Sequence, residues 1–442
     1  MVFDTTILGS NPSAPARQMN IINSKNSLIE KIKNKFFPFY KSKEIKIIFD
    51  ILEKNKAEDK NVVMFVGGCV RKHIQNEVID DIDLATTLSP DEVKKKFINT
   101  QIKVIETGIT HGSLTLILNE KKFEITSLRK DIKTDGRHAE ISFTDNWQLD
   151  SERRDFTINA IYLDQKGNIF DPQLGLNDLK RGIIKFIGDP NKRIEEDYLR
   201  IIRFIRFALQ YNHKSFENST LEAIKLNLNG IKKLSKERIL SELFKILTLK
   251  NFLNINQNKE LKNIFSIIFP EFKYISRLEK FDLIKNNLKL NKTQILAVLL
   301  IENSNNVEYF CHKYNVSNIL KEKLFKISEL YNCFKEDKNF FKSKLKTNIY
   351  LFGKDSLRDL NLLIFFINKK MNYEKEFLKN FKLIEQVKLP KFPYDGNYLI
   401  NKGLSEGIKV GQILKELEKD WIDNNFSIKE KDVDEKISKL KL

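Results

Sequence analysis

The sequence predicts an α/β domain with a mixed β-sheet and flanking helices, followed by a mainly α-helical remainder. Short apolar runs bounded by turn residues lie between residues 62 and 128, and they are typical of strands. Beyond Lys250, in contrast, Leu, Ile and Phe recur at helical intervals without a strong strand signal. A chain of 442 residues also exceeds the usual size of one hydrophobic core, so roughly two to four domains are expected.

We predict five strands in the α/β domain, at Val62–Val66, Ile82–Thr86, Lys103–Ile105, Ser113–Leu118 and Lys122–Leu128. The last two form a hairpin through Asn119-Glu120. The apolar spacing over residues 27–54 predicts two helices, broken near Pro38, that cover the sheet. The pattern Ser89-Pro90-Asp91-Glu92 combines a capping box with a proline in the first turn, so a short helix follows as far as Ile98.

The segment 129–147 lacks a clear period and contains a turn at Asp135-Gly136. Two interpretations remain open for it. The first is a mobile loop beside an active site, and the second is an ordinary surface hairpin.

Residues 193–211 have the apolar spacing of a single helix. Asp197, Arg200, Arg203 and Arg206 follow one another at steps of three and are therefore neighbours on its surface. An exposed helix face with many salt bridges is the alternative interpretation. Because lysine far outnumbers arginine in this chain, three arginines within seven residues favour a functional face. A further helix begins after Ser235, which is a capping residue.

The chain carries a formal net charge of +18 and has a pI near 9.4. A polyanionic partner such as RNA, DNA or nucleotide phosphate explains this excess, and so does a general bias towards lysine. Arginine distinguishes the two explanations, since 11 of the 14 arginines lie between Arg71 and Arg238. Planar, two-pronged donors of this kind are needed where phosphate, carboxylate or base edges are bound. The functional region is therefore predicted at residues 65–240.

Composition also excludes several classes of protein. No apolar run approaches the ~18 residues of a membrane span, which predicts a soluble protein without a membrane partner. The cysteines are three in number, widely spaced and without a Cys-x-x-Cys pair, which argues against disulfides and zinc and favours the cytoplasm. None of the five histidines is followed by Asp, so a His-Asp phosphohydrolase domain has no support.

The stretch from Phe65 to Thr86 is the strongest candidate for chemistry. Gly67 and Gly68 end an apolar run, and glycines there allow backbone N–H groups to approach a phosphate, with Arg71 in the next segment. Asp81 and Asp83 stand on alternate positions of a predicted strand, so both side chains project from one face and are able to share a divalent cation. These residues predict a phosphate cradle facing a metal site.

Five segments in order carry a family resemblance: Gly67-Gly68-Cys69-Val70-Arg71; Asp81-Ile82-Asp83; Arg153-Arg154-Asp155-Phe156-Thr157-Ile158-Asn159-Ala160; Glu196-Asp197-Tyr198-Leu199-Arg200 with Arg203 and Arg206; and Glu237-Arg238. They resemble the five motifs of class II tRNA nucleotidyltransferases and bacterial poly(A) polymerases, in the DNA polymerase beta superfamily. The resemblance spans roughly residues 60–250. A weaker similarity, over residues 392–426, is to a C-terminal piece of bacterial CCA-adding members.

The resemblance implies a nucleotidyltransferase head followed by a helical neck, body and tail. We expect a disordered leader over residues 1–18, with Met19 as the true start, then the head over 19–165 and the neck over 166–250. The body would span 251–385, and a tail that contacts tRNA would span 386–442.

The resemblance also implies template-independent addition of C, C and A to the 3′ end of tRNA from CTP and ATP. Asp81 and Asp83 would hold Mg²⁺ as the catalytic pair. The nucleotide would be bound by Gly67, Gly68, Arg71, Arg154, Asp155, Asn159, Asp197, Arg200, Arg203 and Arg206, with Glu237 and Arg238 in support. Lys72 departs from the family, in which many members carry Asp after the motif's arginine; this departure concerns local contacts in the head.

Simple chemistry agrees with the roles implied for Asp197 and Arg200. A carboxylate accepts from the exocyclic amine that C and A share, while arginine donates to the neighbouring ring acceptor. U and G present a carbonyl at that position and would leave a buried acceptor unpaired. Alternatives to CCA addition are a poly(A) polymerase, an enzyme that adds only CC or only A, and a non-catalytic basic RNA-binding protein. The presence of a segment at 129–147 argues against a CC-only enzyme, because CC-adding members lack it.

Overall fold

A computed structural model describes residues 38–54, 61–135, 138–212, 216–284, 288–302, 304–368, 373–405 and 407–441. The expected leader over 1–18 and the first of the two expected helices before Lys54 lie outside the described residues. The chain divides into two compact units. One comprises the residues up to 272 together with 281–292, and the other comprises 273–280 and the residues from 293 onward.

The first unit contains a seven-stranded mixed sheet in the order β3-β4-β5-β2-β1-β8-β9. Its strands are β1 (Val63–Val66), β2 (Ile82–Thr86), β3 (Lys103–Gly108), β4 (Ser113–Leu118), β5 (Lys121–Ser127), β8 (Tyr162–Leu163) and β9 (Ile169–Phe170). The β2–β5 pair is parallel, and the other pairs are antiparallel. The five predicted strands and the hairpin through Asn119-Glu120 are confirmed. The last two strands escaped prediction because two residues are too few to show an alternation.

Helices cover this sheet as the apolar pattern predicted. The helix Lys43–Leu52 buries Ile45, Ile48, Phe49 and Leu52, and the Phe49 ring lies 5.0 Å from that of Phe65 in β1. Burial of each large apolar side chain stabilises the fold by about 1.5–3 kcal/mol. The helix Pro90–Lys96 begins with the predicted capping box between Ser89 and Glu92. Sequence patterning therefore accounts for the layer of helices as well as for the sheet.

The segment 129–147 forms a second, two-stranded sheet, in which β6 (Arg129–Asp135) pairs with β7 (His138–Phe143). A short helix, Trp147–Glu152, follows at once. The described part of this segment is therefore a paired β-hairpin and not an irregular loop.

The expected single helix over 193–211 is wrong, because Asp197 interrupts it. One helix ends at Glu196, and the next spans Leu199–Gln210. Asp197 itself has an extended backbone (φ −156°, ψ 103°). Its carboxylate accepts from the Leu199 N–H at 3.1 Å, and its carbonyl accepts from the Arg200 N–H at 3.0 Å. A short polar side chain that bonds its own backbone in this way competes with the helix and starts a new one.

The remaining helices of the first unit are Gly68–Ile74, Gly175–Arg181, Pro190–Glu196, Asn218–Asn227, Lys236–Leu247, Lys259–Ile268 and Phe281–Ile284, with 3₁₀ turns at Phe39–Lys41, Ile109–His111, Thr157–Asn159, Leu228–Lys233 and Lys250–Gln257. The Ser235 hydroxyl accepts from the Arg238 N–H, which confirms the predicted cap.

Every secondary-structure element among the described residues of the second unit is a helix or a 3₁₀ turn, in agreement with the prediction for the chain beyond Lys250. Its helices are Lys292–Leu300, Ser304–Tyr314, Asn318–Glu336, Leu345–Phe352, Lys354–Ile367, Tyr373–Gln386, Gly396–Asn401, Ile408–Asp423 and Glu430–Lys441, with a 3₁₀ turn at Ile275–Lys280. The last three helices surround their own apolar cluster, which includes Leu399, Leu417 and Val433. Within the described residues, no helix combines the length and the apolar character that crossing a membrane would require. The three cysteines are free.

Candidate active site

A cavity of about 720 Å³ in the first unit brings together residues from distant parts of the sequence. Of the predicted site residues, those that line it are Gly67, Gly68, Arg71, Asp81, Asp83, Arg154, Asp155, Asn159, Asp197, Arg200, Arg203 and Arg206. Glu237 and Arg238 lie outside the lining, and Glu237 is exposed to solvent. Segments that stand more than a hundred residues apart thus meet at one surface.

The glycine pair lies where β1 ends and the helix Gly68–Ile74 begins. Gly67 has φ 75° and ψ −124°, a conformation that side chains disfavour. A Cβ atom added there would lie 3.7 Å from the Asp83 carboxylate, so this backbone runs directly past the acidic pair. The Cys69 thiol, which is buried, donates to the carbonyls of Val66 and Asp83 and ties the three segments together.

The acidic pair lies at the start of β2: Asp83 is the second residue of the strand, whereas Asp81, expected on the same strand, comes immediately before it. Burial, together with the nearby carboxylates of Glu124 and Asp81, raises the pKa of Asp83 to about 6 against the opposing charges of Arg154 and Arg71. Among the described residues there is no group of three or more His, Cys, Asp or Glu side chains arranged to hold a metal ion. Two carboxylates with room for water and phosphate oxygens form the donor set that Mg²⁺ commonly uses. The residues present therefore fit a hard divalent cation.

Three arginines of the cavity surround one aromatic ring. The guanidinium carbons of Arg71, Arg203 and Arg206 lie 4.9, 5.5 and 4.1 Å from the centre of the Phe207 ring, which is 1% exposed. Arg71 also donates to the hydroxyl of Tyr211 and to the side-chain oxygen of Asn159. Phe207 thus supports an arginine next to the glycine pair and two others on the helix Leu199–Gln210.

A buried carboxylate holds the arginines at 153 and 154. Asp150, which is fully buried, lies 2.6 Å from an amino group of Arg153 and 2.9 Å from one of Arg154, and it accepts from the Tyr162 hydroxyl at 2.7 Å. Arg154 in turn donates to the Tyr162 oxygen at 3.0 Å. Burial alone would raise the pKa of Asp150, but the charges of Arg154 and Arg153 outweigh it and hold that pKa well below its usual range.

Asp155 is bound on both oxygens. One accepts from the Asn159 amide at 2.6 Å and from the Phe156 N–H at 2.9 Å, and the other accepts from Arg203 at 2.7 Å. Burial raises the pKa of Asp155, whereas Arg203 and Asn159 lower it more strongly, so the group stays ionised. Glu242, also buried, binds Arg206 at 2.7 Å and Lys245 at 2.9 Å.

Asp197 and Arg200 line the same cavity but have different partners. Asp197 accepts from Arg238 at 2.7 Å, while Arg200 binds Glu196 at 2.6 Å and the Arg193 carbonyl at 2.7 Å. The Arg200, Arg203 and Arg206 side chains are only 12%, 29% and 13% exposed. These arginines are therefore part of a cavity wall, and the alternative of an exposed helix face with many salt bridges is wrong.

Comparison with known proteins follows the same regions of the chain. Residues 63–185 match the family described as the poly A polymerase head domain, and residues 215–275 match a probable RNA and SrmB-binding site of polymerase A. The mitochondrial CCA tRNA nucleotidyltransferase 1 of Homo sapiens is 31% identical, over 87% of this chain and 88% of that protein. The chain belongs to the tRNA nucleotidyltransferase family. The CCA-adding enzyme of Staphylococcus saprophyticus is 34% identical, over 70% of this chain and 75% of that enzyme.

A solved structure of the same family has the same fold. The CCA-adding enzyme of Bacillus stearothermophilus, crystallised with CTP, superposes with a TM-score of 0.62 at 20% identity, over 87% of this chain and 94% of that one. The nucleotidyltransferase fold implies the use of a divalent metal in general.

Five residues that hold the predicted side chains in place received no role from the sequence: Asp150, Tyr162, Glu196, Phe207 and Glu242. A signal existed for some of them. Asp150 precedes Arg153 and Arg154 by one helical turn, and Glu196 precedes Arg200 by four residues. Nothing in the spacing could have joined Arg206 to Glu242, which is 36 residues away.

Proposed function

We propose that this protein adds C, C and A to the 3′ end of tRNA from CTP and ATP without a template and releases pyrophosphate. The observation that carries the proposal is the single cavity in which the acidic pair Asp81 and Asp83 faces an arginine-rich wall. Membership of the tRNA nucleotidyltransferase family supports it. We also propose a cytoplasmic location, which free thiols suit.

In this proposal, Asp81 and Asp83 hold Mg²⁺. Bound there, Mg²⁺ would make the 3′-hydroxyl of the primer more acidic and neutralise charge on the triphosphate. The protein's own part is placement and charge. Arg71, with the backbone N–H groups at Gly67 and Gly68, binds phosphate oxygens, and Asn159 fixes the direction of Arg71. Arg154, Arg203 and Arg206 add positive charge, which their buried carboxylate partners orient.

Base choice is assigned to Asp197 and Arg200. Arg238 and the Leu199 N–H each occupy one oxygen of Asp197, so each of these oxygens retains a further lone pair for an exocyclic amine. Arg200 keeps N–H donors beyond those used by Glu196 and the Arg193 carbonyl. Asp197 and Arg200 can therefore hydrogen-bond the base of C or A. With U or G, the Asp197 carboxylate would remain a buried acceptor without a donor.

The test uses purified protein with Mg²⁺ and a tRNA transcript that ends before CCA. Each labelled nucleoside triphosphate is supplied singly and then in combination. Incorporation of C, C and A and then arrest is the expected result. Long A tails would instead identify a poly(A) polymerase, arrest after CC or a single A would identify a partial enzyme, and binding without incorporation would identify an RNA-binding protein.

The β6–β7 hairpin is proposed to help the pocket change from C to A, because it links the sheet to the segment that carries Arg154 and Asp155. Deletion of residues 134–140 is expected to leave addition of CC intact and to remove addition of A. The products on tRNA lacking CCA are resolved at single-nucleotide length. Synthesis of full CCA ends by the deletion variant would contradict this role.

Phe207→Leu is expected to raise KM for CTP and ATP about ten-fold, because each lost contact between a cation and an aromatic ring is worth about 0.5–2 kcal/mol. Phe207→Tyr should keep nearly normal KM values, since it keeps the ring. Phe186→Leu is the matched control: that ring is equally buried but packs on Phe156 and Phe204. If Phe186→Leu and Phe207→Leu raised the KM values equally, Phe207 would contribute only through packing.

A further inference from the structure

A second cavity, of about 470 Å³, lies on the same sheet. It shares two lining residues with the cavity of about 720 Å³, which we call the nucleotide chamber. We call the second cavity the sheet groove and define it by Asp81, Asp83, Ile105, Thr107, Thr115 and Ile117, which line it. The acidic pair belongs to both cavities. Asp81 and Asp83 therefore stand between an arginine-rich chamber and this groove.

The floor of the groove is a row of residues on four adjacent strands. Asp83 is in register with Glu124, Glu124 with Thr115, and Thr115 with Ile105. Neighbouring strands are about 4.8 Å apart, so the row extends about 14 Å from Asp83 across the sheet. Register alone thus gives the groove a fixed direction, with the acidic pair at one end.

The chemistry of the groove differs from that of the nucleotide chamber. The chamber is lined by six arginines, whereas the groove has the carboxylates of Asp81, Asp83 and Glu124 and a single lysine, Lys122. An excess of negative charge disfavours a phosphate-rich ligand such as a triphosphate. A neutral sugar or base suits isoleucine walls with hydroxyl groups among them.

The hydroxyl groups are already paired with each other. The Thr107 and Thr115 oxygens lie 3.0 Å apart, on β3 and β4. One donor and one acceptor are used between them, so the pair retains one donor and several acceptor positions. It is therefore able both to donate to and to accept from a ligand hydroxyl.

The in-line geometry of the reaction indicates which ligand binds in the groove. In nucleotidyl transfer the attacking hydroxyl and the leaving pyrophosphate lie on opposite sides of the phosphorus, roughly in line. Under the proposed function, on which this inference rests, the triphosphate lies on the arginine side of Asp81 and Asp83. The primer's 3′-hydroxyl must then approach the acidic pair from the opposite side, where the groove lies.

We propose that the sheet groove binds the last two nucleotides of the primer strand, and that the Thr107–Thr115 hydroxyl pair hydrogen-bonds a ribose 2′-hydroxyl there. The two threonines distinguish an RNA end from a DNA end. They bind the primer and leave the choice of incoming nucleotide unaffected.

The experiment removes the proposed hydrogen bond either by changing the primer or by changing the protein. One tRNA primer is all ribose, and a second carries 2′-deoxyribose in its last two nucleotides with the 3′-hydroxyl retained. The unaltered protein should extend the ribose primer about five-fold more efficiently in kcat/KM, as expected for one net hydrogen bond. The Thr107→Val/Thr115→Val double variant should extend both primers at the lower, deoxy level, with KM for CTP unchanged.

Two controls separate recognition from packing. Thr126→Val removes a hydroxyl from a comparable pair, Ser113 and Thr126, which are 2.9 Å apart and lie outside the lining of the groove; it should keep the preference for ribose. The Thr107→Ser/Thr115→Ser variant keeps both hydroxyls and should also keep the preference for the ribose primer.

Three outcomes would overturn this inference but not the proposed function. The unaltered protein could extend both primers equally, the double valine variant could retain the preference for ribose, or the double valine variant could lose the same activity on both primers. Absence of any incorporation on either primer would overturn the proposed function and this inference with it. The two failures are therefore distinguishable.

Discussion

Asp83→Asn is expected to lower nucleotide incorporation at least 1,000-fold while leaving affinity for tRNA within about two-fold, because the residue acts at the reacting phosphate. Asparagine has nearly the same shape as aspartate, so packing in β2 is preserved and only the charge is lost. Incorporation is measured in single-turnover reactions with saturating Mg²⁺ and CTP. Affinity for tRNA is measured separately by filter binding. Asp81→Asn should behave in the same way.

The neighbouring carboxylate provides the control. Asp80 lines the same cavity, but its side chain is 66% exposed and pairs with Lys72. Asp80→Asn should change incorporation less than ten-fold, since an exposed ion pair contributes little. A loss at Asp80 as large as that at Asp83 would show that general negative charge matters, and the assignment of the metal pair would then be wrong.

The same Asp83→Asn variant is expected to be more stable than the unaltered protein in EDTA at pH 7.5, by about 1–2 kcal/mol. Burial and the carboxylates of Glu124 and Asp81 raise the pKa of Asp83 to about 6, which means that its ionised form opposes folding. That cost is present above pH 6 and disappears as the pH falls towards the unfolded pKa near 4. The stability gain should therefore shrink between pH 7.5 and pH 4.5 in urea titrations. An inactive variant that is also more stable cannot owe its inactivity to misfolding.

The parts of the fold that could be predicted from the sequence are those with a local cause. The strand Ile82–Thr86 and the capping box at Ser89 depend on residues within one short segment. The break at Asp197 also has a local cause, but apolar spacing on both sides of it follows the same helical period, and periodicity alone cannot show a break. The hairpin after Arg129 required pairing between two segments without clear alternation, so the sequence left two alternatives open.

The site divides in a similar way. The motifs identified Asp83, Arg154 and Asp197 individually, because each belongs to a recognisable segment. The spacing of the residues did not predict which charged side chains pair with each other. Asp197 binds Arg238 rather than Arg200, and Asp155 binds Arg203, which is 48 residues away. Such pairs form only when the sheet and the helix Leu199–Gln210 are packed together. Sequence therefore predicts which residues are in the site, and packing decides how each of them is oriented.

The buried network around Asp150 is expected to contribute strongly to the stability of the first unit. Asp150→Asn should lower the free energy of unfolding at pH 7 by about 3–5 kcal/mol, because the buried guanidinium of Arg154 then lacks its counter-charge. Asp91→Asn is the matched control. It removes the ion pair between Asp91 and Lys94, but the Asp91 side chain is 77% exposed, so no measurable change in the free energy of unfolding is expected.

The pH dependence of this difference separates charge from shape. The pKa of Asp150 is far below its usual range in the folded protein, so its contribution is fully present above the unfolded pKa near 4 and is lost as the pH falls below it. The gap between Asp150→Asn and the unaltered protein should therefore be constant from pH 7 to pH 5 and narrow below pH 4. Urea unfolding is followed by fluorescence of Trp147, which packs on Tyr162, in a Trp421→Phe background that leaves it as the only tryptophan. A gap that stays constant down to pH 3 would mean that asparagine fails through its shape, and that the charge of Asp150 is not what holds the two arginines.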